Sequence, residues 1–231
     1  MIKVVKTFFL DLIFPKFCVD CQKEGSFLCS KCEKRVLLVK TQICPGCGRI
    51  SKGGKYCLKD RKPHGLAGII VAAYYEEGPI KEAIHNLKYN ALLELAPFLG
   101  SLMATALKEN IDISKDILIT AVPLHFLRKS QRGFNQSELL GTAVAENLKL
   151  QKNFNILRKI RYTKPQVKFS GKKRRKNLIN CYKIFQKNAI FGRTIILIDD
   201  VTTTGTTLNE CAKVLRAAGA KRVWGLVVAK G

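Results

Sequence analysis

Two adjacent aspartates followed by a threonine-rich loop are the residues of this sequence most suited to chemistry. The stretch IILIDDVTTTGTTL, at 195–208, places Asp199 and Asp200 directly after four aliphatic residues, and one glycine, Gly205, stands among the threonines. Glycine lets a chain turn with positive φ and approach a ligand, and threonine hydroxyls add hydrogen-bond donors. This composition predicts a phosphate cradle without a lysine, because the Walker A string G-x-x-x-x-G-K-[ST] does not occur.

The acid pair predicts that the phosphate ligand also carries hydroxyls or a metal ion. A ribose 5-phosphate supplies both features, because its diol donates to carboxylates and Mg²⁺ can bridge the diol and a pyrophosphate. The alternative interpretation is that Asp199 and Asp200 solubilise or cap the strand end and that the threonines are ordinary turn residues. The order of strand, acid pair and TTG turn favours the ligand site.

A buried strand and a helix are the elements that must position this site. The aliphatic run at 195–198 does not alternate with polar residues, which is typical of a parallel strand buried on both faces. Apolar residues at 208–218 follow a helical stripe that stops at Gly219. In strand–loop–helix units, ligands bind outside the carboxyl end of the strand, where the helix offers free N–H groups.

A second predicted strand end carries cations. A strand at 117–122 precedes VPLHFLRKSQRGFNQSELL, which predicts a proline turn, a cationic loop and then a helix that opens near Asn135. Arg128 and Arg132 of this loop are suited to fork onto phosphate oxygens. His125 is either a ligand contact or a surface loop residue. Further elements predicted from periodicity are a strand at 69–75 and helices at 80–89 and 92–108.

The charge of the chain is strongly one-sided. Lys and Arg number 41 against 17 Asp and Glu, so the formal net charge is +24, and polyanions are the expected partners. The segment 147–198 holds fifteen Lys and Arg and no acidic residue, so it cannot be a salt-bridged face. It centres on TKPQVKFSGKKRRKNL, whose composition predicts a long mobile loop that closes over pyrophosphate, binds a nucleic-acid backbone, or does both. Its cationic cluster is Lys172, Lys173, Arg174 and Arg175.

Three aromatic residues lie among these cations. Phe154, Tyr162 and Phe169 are suited to stack on bases, and the alternative is that they belong to the core.

Three CxxC pairs within thirty residues predict a zinc module. Nothing in the sequence directs secretion, so metal ligation is favoured over disulfides. The fourth pair is incomplete, because Cys57 is followed by Asp60, and either Asp60 or His64 is the candidate for the last ligand. Sequential pairing would group Cys18, Cys21, Cys29 and Cys32 around one zinc ion and Cys44, Cys47, Cys57 and Asp60 around a second, weaker one.

Interleaved pairing of the cysteines is the alternative. Four protein ligands predict structural zinc, because a catalytic zinc keeps an open position, and the module could also contact nucleic acid. Cys181 and Cys211 fall in apolar-periodic stretches that predict helices, where they would be core residues.

The apolar amino terminus, MIKVVKTFFLDLIFP, does not fit a signal peptide. Asp11 and Pro15 interrupt its short apolar core, no small-residue cleavage site follows, and it is too short to span a bilayer. Residues 4–14 predict an amphipathic helix that packs on the body, with binding at a membrane surface as the alternative.

Several of these strings resemble the ComF/GntX family when they are taken in order. They are FLDLIFPKFCVDC, ICPGCG, IKEAIHNLKY, VPLHFLRKSQRGFNQSELL, KPQVKFSGKKRRKNL and IILIDDVTTTGTTL. The last string also resembles the phosphoribosyl-pyrophosphate (PRPP) motif of type I phosphoribosyltransferases. That resemblance implies ribose contacts from Asp199 and Asp200 and 5-phosphate contacts from Thr203, Thr204, Gly205, Thr206 and Thr207.

The family resemblance implies an α/β fold in which a type I phosphoribosyltransferase-like parallel sheet is flanked by helices and joined to a small N-terminal zinc ribbon. The expected division is a helix and zinc-ribbon module at 1–64 and a phosphoribosyltransferase-like domain at 65–231. The resemblance also implies a cytoplasmic protein that handles single-stranded DNA during natural transformation, with other DNA-uptake proteins as candidate partners.

Three functions remain open from the sequence. The first is a PRPP-binding factor that handles single-stranded DNA. The second is a metabolic phosphoribosyltransferase that uses Mg²⁺ and PRPP to modify a nucleobase or an amine. The third is a zinc-ribbon nucleic-acid module whose PRPP site is vestigial, and the intact DD and TTG residues argue against it.

Overall fold

The computed structural model describes residues 15–61, 65–76, 78–163 and 180–231. Its helices are α1 (Ser30–Glu33), α2 (Leu58–Arg61), α3 (Pro79–Tyr89), α4 (Leu95–Asn110), α5 (Phe126–Arg132), α6 (Gln136–Leu148) and α7 (Thr206–Ala217). Its strands are β1 (Gly68–Tyr74), β2 (Ile117–Ala121), β3 (Gln151–Lys152), β4 (Leu157–Lys159), β5 (Tyr182–Ile184), β6 (Thr194–Thr202) and β7 (Arg222–Lys230). Two short 3₁₀ helices cover Lys52–Gly54 and Lys187–Ala189.

Some of the predictions concern residues outside the described part of the chain. These are the helix at 4–14, the alternative metal ligand His64, the aromatic residue Phe169 and the cluster Lys172, Lys173, Arg174 and Arg175.

The main sheet has five parallel strands in the order β1-β7-β6-β2-β3. The parallel pairs β2–β3 and β6–β7, whose strands follow one another in the chain, are each joined through at least one helix, as parallel pairing requires. The aliphatic residues of β2 and β6 are buried because helices or loops cover both faces of the sheet. The predicted α/β class with a parallel sheet is confirmed.

Two layers of apolar side chains lie on the two faces of this sheet. One layer joins α3, α4 and α6 to the sheet, and the cysteines Cys18 and Cys32 belong to it. The other joins α7, the antiparallel β4–β5 hairpin and parts of the amino-terminal region, including Cys44 and Tyr56. The amino-terminal module therefore shares the core with the sheet on both faces.

The amino-terminal module covers the edge of the sheet at β1. The Val39 N–H donates to the Ala72 carbonyl, and the Tyr74 N–H donates to the Leu37 carbonyl. The Gln42 side chain accepts from the Val71 N–H at 3.1 Å and donates to its carbonyl at 2.9 Å. These bonds replace a neighbouring strand and block edge-to-edge pairing at β1.

The structure corrects the sequence analysis at three places in the fold. The cationic stretch after β2, expected as a loop, contains the helix α5. Cys181 precedes β5 instead of lying in a helix, although its side chain and that of Cys211 are buried in the core as expected. The sequence analysis also missed β7, whose near-continuous apolar run is of the same type as that of β6.

No helix in the described ranges is long and apolar enough to cross a membrane.

Candidate functional site

The acid pair lies within the carboxyl-terminal part of β6. The strand runs to Thr202, four residues beyond the end expected from the aliphatic run, and thus includes both aspartates. Asp199 Oδ1 accepts from the Ser137 hydroxyl at 3.1 Å and from the Asp200 N–H at 3.0 Å. Asp200 Oδ1 accepts from the Val201 N–H at 2.7 Å. The local backbone and the start of α6 therefore hold both carboxylates in place.

A lysine from a distant helix completes the acid pair. Lys88 Nζ of α3 lies 2.5 Å from Asp200 Oδ2, and both side chains are largely buried. The sequence analysis missed Lys88 as a site residue. Its position in the sequence could have indicated this role. Residue 88 extends the buried stripe of α3 that contains Ile84, and a lysine on such a stripe needs a charged partner.

The two carboxylates of the site lie near several cationic side chains, and these groups shift one another's pKa values. Burial raises the pKa of Asp199 to about 6, although Lys88, the Ser137 hydroxyl and Lys159 act in the opposite direction. Burial also lowers the pKa of Lys88 and of Lys159, and the charge of Arg128 lowers the pKa of Lys159 further. A buried carboxylate with a raised pKa among cations is a common feature of ligand sites.

The threonine loop connects the acid pair to α7. Thr203 and Thr204 are exposed, and Gly205 caps the helix with a left-handed φ of 70°. This left-handed φ favours glycine, and a Cβ at position 205 would lie 2.9 Å from Ile69 Cδ1 and would have to displace the end of that side chain. The Thr202 hydroxyl accepts from the Gly205 N–H at 3.1 Å and fixes the turn.

The helix begins two residues earlier than the stripe predicted. Thr206 and Thr207, expected in the loop, form the first turn of α7. The hydroxyls of Thr204 and Thr206 lie 2.7 Å apart across the cap. The first N–H groups of this twelve-residue helix and the hydroxyls around them thus point to the same edge of the sheet as the acid pair.

The two predicted phosphate-contacting arginines lie on α5, one helical turn apart. Arg128 Nη2 donates to the Thr163 carbonyl at 2.9 Å, and Arg132 Nη1 donates to Gln136 Oε1 at 2.7 Å. His125 caps this helix, because its Nδ1 accepts from the Leu127 N–H at 3.4 Å, and it is buried. The interpretation of His125 as a surface residue is therefore wrong.

A cavity of about 300 Å³ lies between the threonine loop and the amino-terminal module. Its walls include Thr203, Thr204 and Gly205 on one side and Ile43 and Pro45 on the other. Most of its surface is apolar. The sequence analysis missed this cavity, because it forms between segments about 160 positions apart.

Eight candidate zinc ligands form two clusters in the amino-terminal module. One holds Cys18, Cys21, Cys29 and Cys32, and the other holds Cys44, Cys47, Cys57 and Asp60. Within each cluster all the ligand atoms lie within 4.8 Å of one another. The geometry thus groups the ligands sequentially, as preferred from the sequence, and does not interleave them.

The two clusters are built in the same way. The Cys29 N–H donates to Cys18 Sγ at 3.5 Å in the first, and the Cys57 N–H donates to Cys44 Sγ at 3.3 Å in the second. Sulfur atoms lie 3.6 Å apart for Cys21 and Cys29 and 3.8 Å apart for Cys47 and Cys57. Four Zn–S bonds of about 2.3 Å in a tetrahedron place sulfurs about 3.8 Å apart, so the donors fit zinc.

Asp60 takes the position of the missing cysteine. Its Oδ2 lies 2.8 Å from Cys57 Sγ and 3.7 Å from Cys44 Sγ. Gly46 makes room for it, because a Cβ there would lie 2.7 Å from the Asp60 side chain. The Cys57 thiol beside Asp60 lowers the pKa of that carboxyl, which favours the ionised form that a metal requires.

Comparison with protein families assigns the cysteine clusters and the acid pair to two different domains. Residues 9–59 match the model of a double zinc ribbon domain. Residues 100–230 match the model of a phosphoribosyl transferase domain. The two matches contain the cysteine clusters and the acid pair with its threonine loop, respectively.

Known proteins resemble the chain over most of its length. Competence protein F of Haemophilus influenzae is 30% identical over 224 residues, which cover 87% of this chain and 96% of that protein. DNA utilization protein YhgH of Escherichia coli is 31% identical over 208 residues, with 86% and 89% covered. Competence protein ComFC of Bacillus subtilis is 28% identical over 208 residues, with 85% and 81% covered.

Proposed function

This chain belongs to the ComF family of competence-associated proteins, which join a double zinc ribbon to a phosphoribosyltransferase domain, and we propose that it binds a ribose phosphate, specifically PRPP. One observation carries the proposal: Asp199 and Asp200 lie at the same sheet edge as the first turn of α7. The carboxylates would accept from the ribose diol. The 5-phosphate would lie against Thr203, Thr204, Gly205, Thr206 and Thr207.

The donor set of the acid pair also fits Mg²⁺. This ion prefers oxygen ligands and is commonly held by one or two carboxylates together with substrate phosphates. Asp199 and Asp200 would hold the ion together with the bound PRPP, and the ion would neutralise negative charge on the pyrophosphate. Lys88 forms an ion pair with Asp200, so ligand binding must compete with this ion pair or include it.

Calorimetric titration with PRPP in the presence of Mg²⁺ tests this site. Replacing Asp199→Asn together with Asp200→Asn removes both charges while keeping the volume, and should weaken PRPP binding by at least about tenfold, or 1.4 kcal/mol. Asp112→Asn is the matched control, because Asp112 is exposed just before the opposite, amino end of β2. Unchanged affinity in a folded double variant would overturn the ribose assignment.

We also propose that the chain handles single-stranded DNA in the cytoplasm during DNA uptake, where other uptake proteins are candidate partners. The net charge of +24 supports a polyanionic partner, and two relatives are named for competence and one for DNA utilization. The amino-terminal region at 1–64 would supply the zinc ribbons, and residues 65–231 the ribose-phosphate site and the cations.

Salt dependence tests the nucleic-acid part of the proposal. The logarithm of single-strand affinity should fall against that of salt concentration with a slope of about −0.7 per phosphate contacted, or about −3.5 for five contacts. Changing Lys172, Lys173, Arg174 and Arg175 together to alanine should flatten this slope and alter sequence preference little. An identical slope in both proteins would exclude this cluster from the interface.

A metabolic phosphoribosyltransferase is the second candidate function. The apolar cavity of about 300 Å³ beside Thr203 and Thr204 favours it, because a base or an amine acceptor would have to bind next to the ribose phosphate. This function requires pyrophosphate release from PRPP that depends on an added acceptor. Release at the same rate without any nucleobase or amine would reject it.

A further inference from the structure

Three aromatic rings are exposed beside the acid pair. Phe126 is 69% exposed, Tyr89 is 65% exposed and Tyr162 is 49% exposed. Phe126 begins α5, which follows the carboxyl end of β2, and Tyr89 follows Lys88, the partner of Asp200. Exposed apolar residues are common when they stand singly, so what matters is whether these rings form one surface.

Contacts group the three rings into two halves, one with Phe126 and Tyr162 and one with Tyr89. The Tyr162 ring meets the His125 ring edge-on at 5.4 Å between centroids, and the His125 ring lies 4.6 Å from that of Phe126. The guanidinium of Arg128 lies 5.6 Å from the centroid of Tyr162. The guanidinium of Arg132 lies 5.5 Å from the centroid of Tyr89.

The two arginines join the halves of this surface. Arg128 and Arg132 are four residues apart on α5, so they share one face of the helix, and their charges act on each other. We call Tyr89, Phe126, Tyr162, Arg128 and Arg132 the aromatic–arginine patch.

The patch adjoins the candidate ribose-phosphate site. The charge of Arg132 acts on Lys88, whose ammonium pairs with Asp200. The patch also contacts the start of the string TKPQVKFSGKKRRKNL, because Arg128 donates to the carbonyl of Thr163, its first residue.

We infer that the aromatic–arginine patch is a base-stacking surface for single-stranded nucleic acid. Every base has a π face, so aromatic rings interleaved with arginines bind single strands with little dependence on sequence. In a duplex these faces are covered by neighbouring bases, so the patch fits unpaired strands. Phosphates between the bases would meet Arg128 and Arg132. The inference rests on the proposed handling of single-stranded DNA and names the residues that would contact its bases.

The test compares two oligomers with the same number of phosphates. One is a thymidine strand, and the other is an abasic strand that lacks the bases. Fluorescence anisotropy at one fixed salt concentration measures the affinity of the wild-type chain and of Phe126→Leu, Tyr162→Leu and the double variant. Leucine keeps apolar volume but removes the π face, and both rings are exposed enough for the fold to tolerate the change.

Phe191→Leu is the matched control. Phe191 is 74% exposed, but it lies just before the amino end of β6, at the opposite edge of the sheet from Asp199. Its replacement should leave the affinity for both oligomers unchanged.

Stacking predicts that the wild-type chain binds the thymidine strand better than the abasic strand, by about fivefold or more for each base stacked. Phe126→Leu and Tyr162→Leu should each reduce this preference, and the double variant should reduce it further, to the part that Tyr89 supplies. Phe126→Trp, which keeps an aromatic face at this position, should retain the preference for bases that Phe126→Leu loses.

A preference for bases as large in the double variant as in the wild-type chain would overturn the inference while leaving single-strand binding intact. The exposed rings would then be free for a protein partner. A wild-type chain that binds neither oligomer would contradict both the inference and the DNA part of the proposed function. The PRPP titration of Asp199→Asn with Asp200→Asn is independent of either outcome.

Discussion

The zinc clusters and the acid-pair edge of the sheet are held together in different ways. Each zinc cluster draws its ligands from a span of at most seventeen residues, and each joins a CxxC turn to the start of a short helix. The acid-pair edge draws Lys88, Ser137 and Asp199 from three elements of the sheet domain that are distant along the chain. A zinc cluster therefore forms from residues that are close in sequence and stabilises a small module, whereas the acid-pair edge forms only when the whole sheet has folded.

This difference explains what could be predicted from the sequence. The spacing of the cysteines was enough to indicate the zinc module and its sequential grouping, because ligands in CxxC turns are already close before folding. The acid pair and the threonine loop could also be predicted as a ligand site, because the strand, turn and helix that carry them are contiguous in the sequence. Lys88 and Ser137 could not be predicted as part of the site, because their contacts with the acid pair depend on how α3 and α6 pack against β6.

The errors at α5 and β7 have a similar origin. The stretch FLRKSQR has no apolar stripe to mark a helix, and the buried His125 that caps it resembles any loop histidine in sequence. The run at 222–230 is apolar and short, a pattern that fits a buried strand as well as a buried helix segment, and its pairing with β6 and β1 identifies it as a strand.

The largest effect should come from breaking the first zinc cluster. Cys18→Ser removes a fully buried candidate ligand whose sulfur also accepts from the Cys29 N–H. Structural zinc contributes folding free energy directly, so we expect loss of zinc and rapid proteolysis within the amino-terminal region. Limited proteolysis and metal analysis measure both. Cys211→Ala, a buried cysteine outside the clusters, should keep its zinc, and equal protease resistance in Cys18→Ser would contradict a metal-built module.

A smaller effect should follow from completing the second cluster. Asp60→Cys places a thiolate where Asp60 Oδ2 now lies 2.8 Å from Cys57 Sγ, and zinc prefers that softer ligand. The second zinc ion should then resist a competing chelator better than in the wild-type chain, while the first cluster should be unchanged. Chelator titration followed by metal analysis gives the comparison, and weaker retention in Asp60→Cys would argue that Asp60 is not a ligand.

The acid-pair edge should change its ligand affinity with pH near 6. Burial raises the pKa of Asp199 to about 6, and only the ionised form accepts from a ribose diol without competition from its own proton. PRPP affinity should therefore fall as pH decreases through 6, approaching about tenfold per unit well below that value. Calorimetry at several pH values measures this dependence.

Two controls separate Asp199 from other titrating groups. Phosphate groups have a second pKa near 6, so Asp199→Asn reports the titration of the ligand alone. The stability of the free chain should change with the opposite sign: the folded pKa lies above the ordinary 3.8, so the contribution of Asp199 to stability is lost as pH rises through 6. A wild-type pH dependence of PRPP affinity equal to that of Asp199→Asn would show that Asp199 does not contact the ligand.

Calorimetric titration with PRPP and Mg²⁺, repeated with a saturating thymidine strand, tests most directly whether one sheet edge serves both ligands. Arg128 and Arg132 contact two of the exposed rings, and the charge of Arg132 acts on Lys88 beside the acid pair, so the two proposed ligands would share these cations. We expect PRPP to bind, its Kd to change when the strand is present, and the Kd of the strand to change by the same factor when PRPP is present. No PRPP binding, or two Kd values that are independent of each other, would contradict a shared edge.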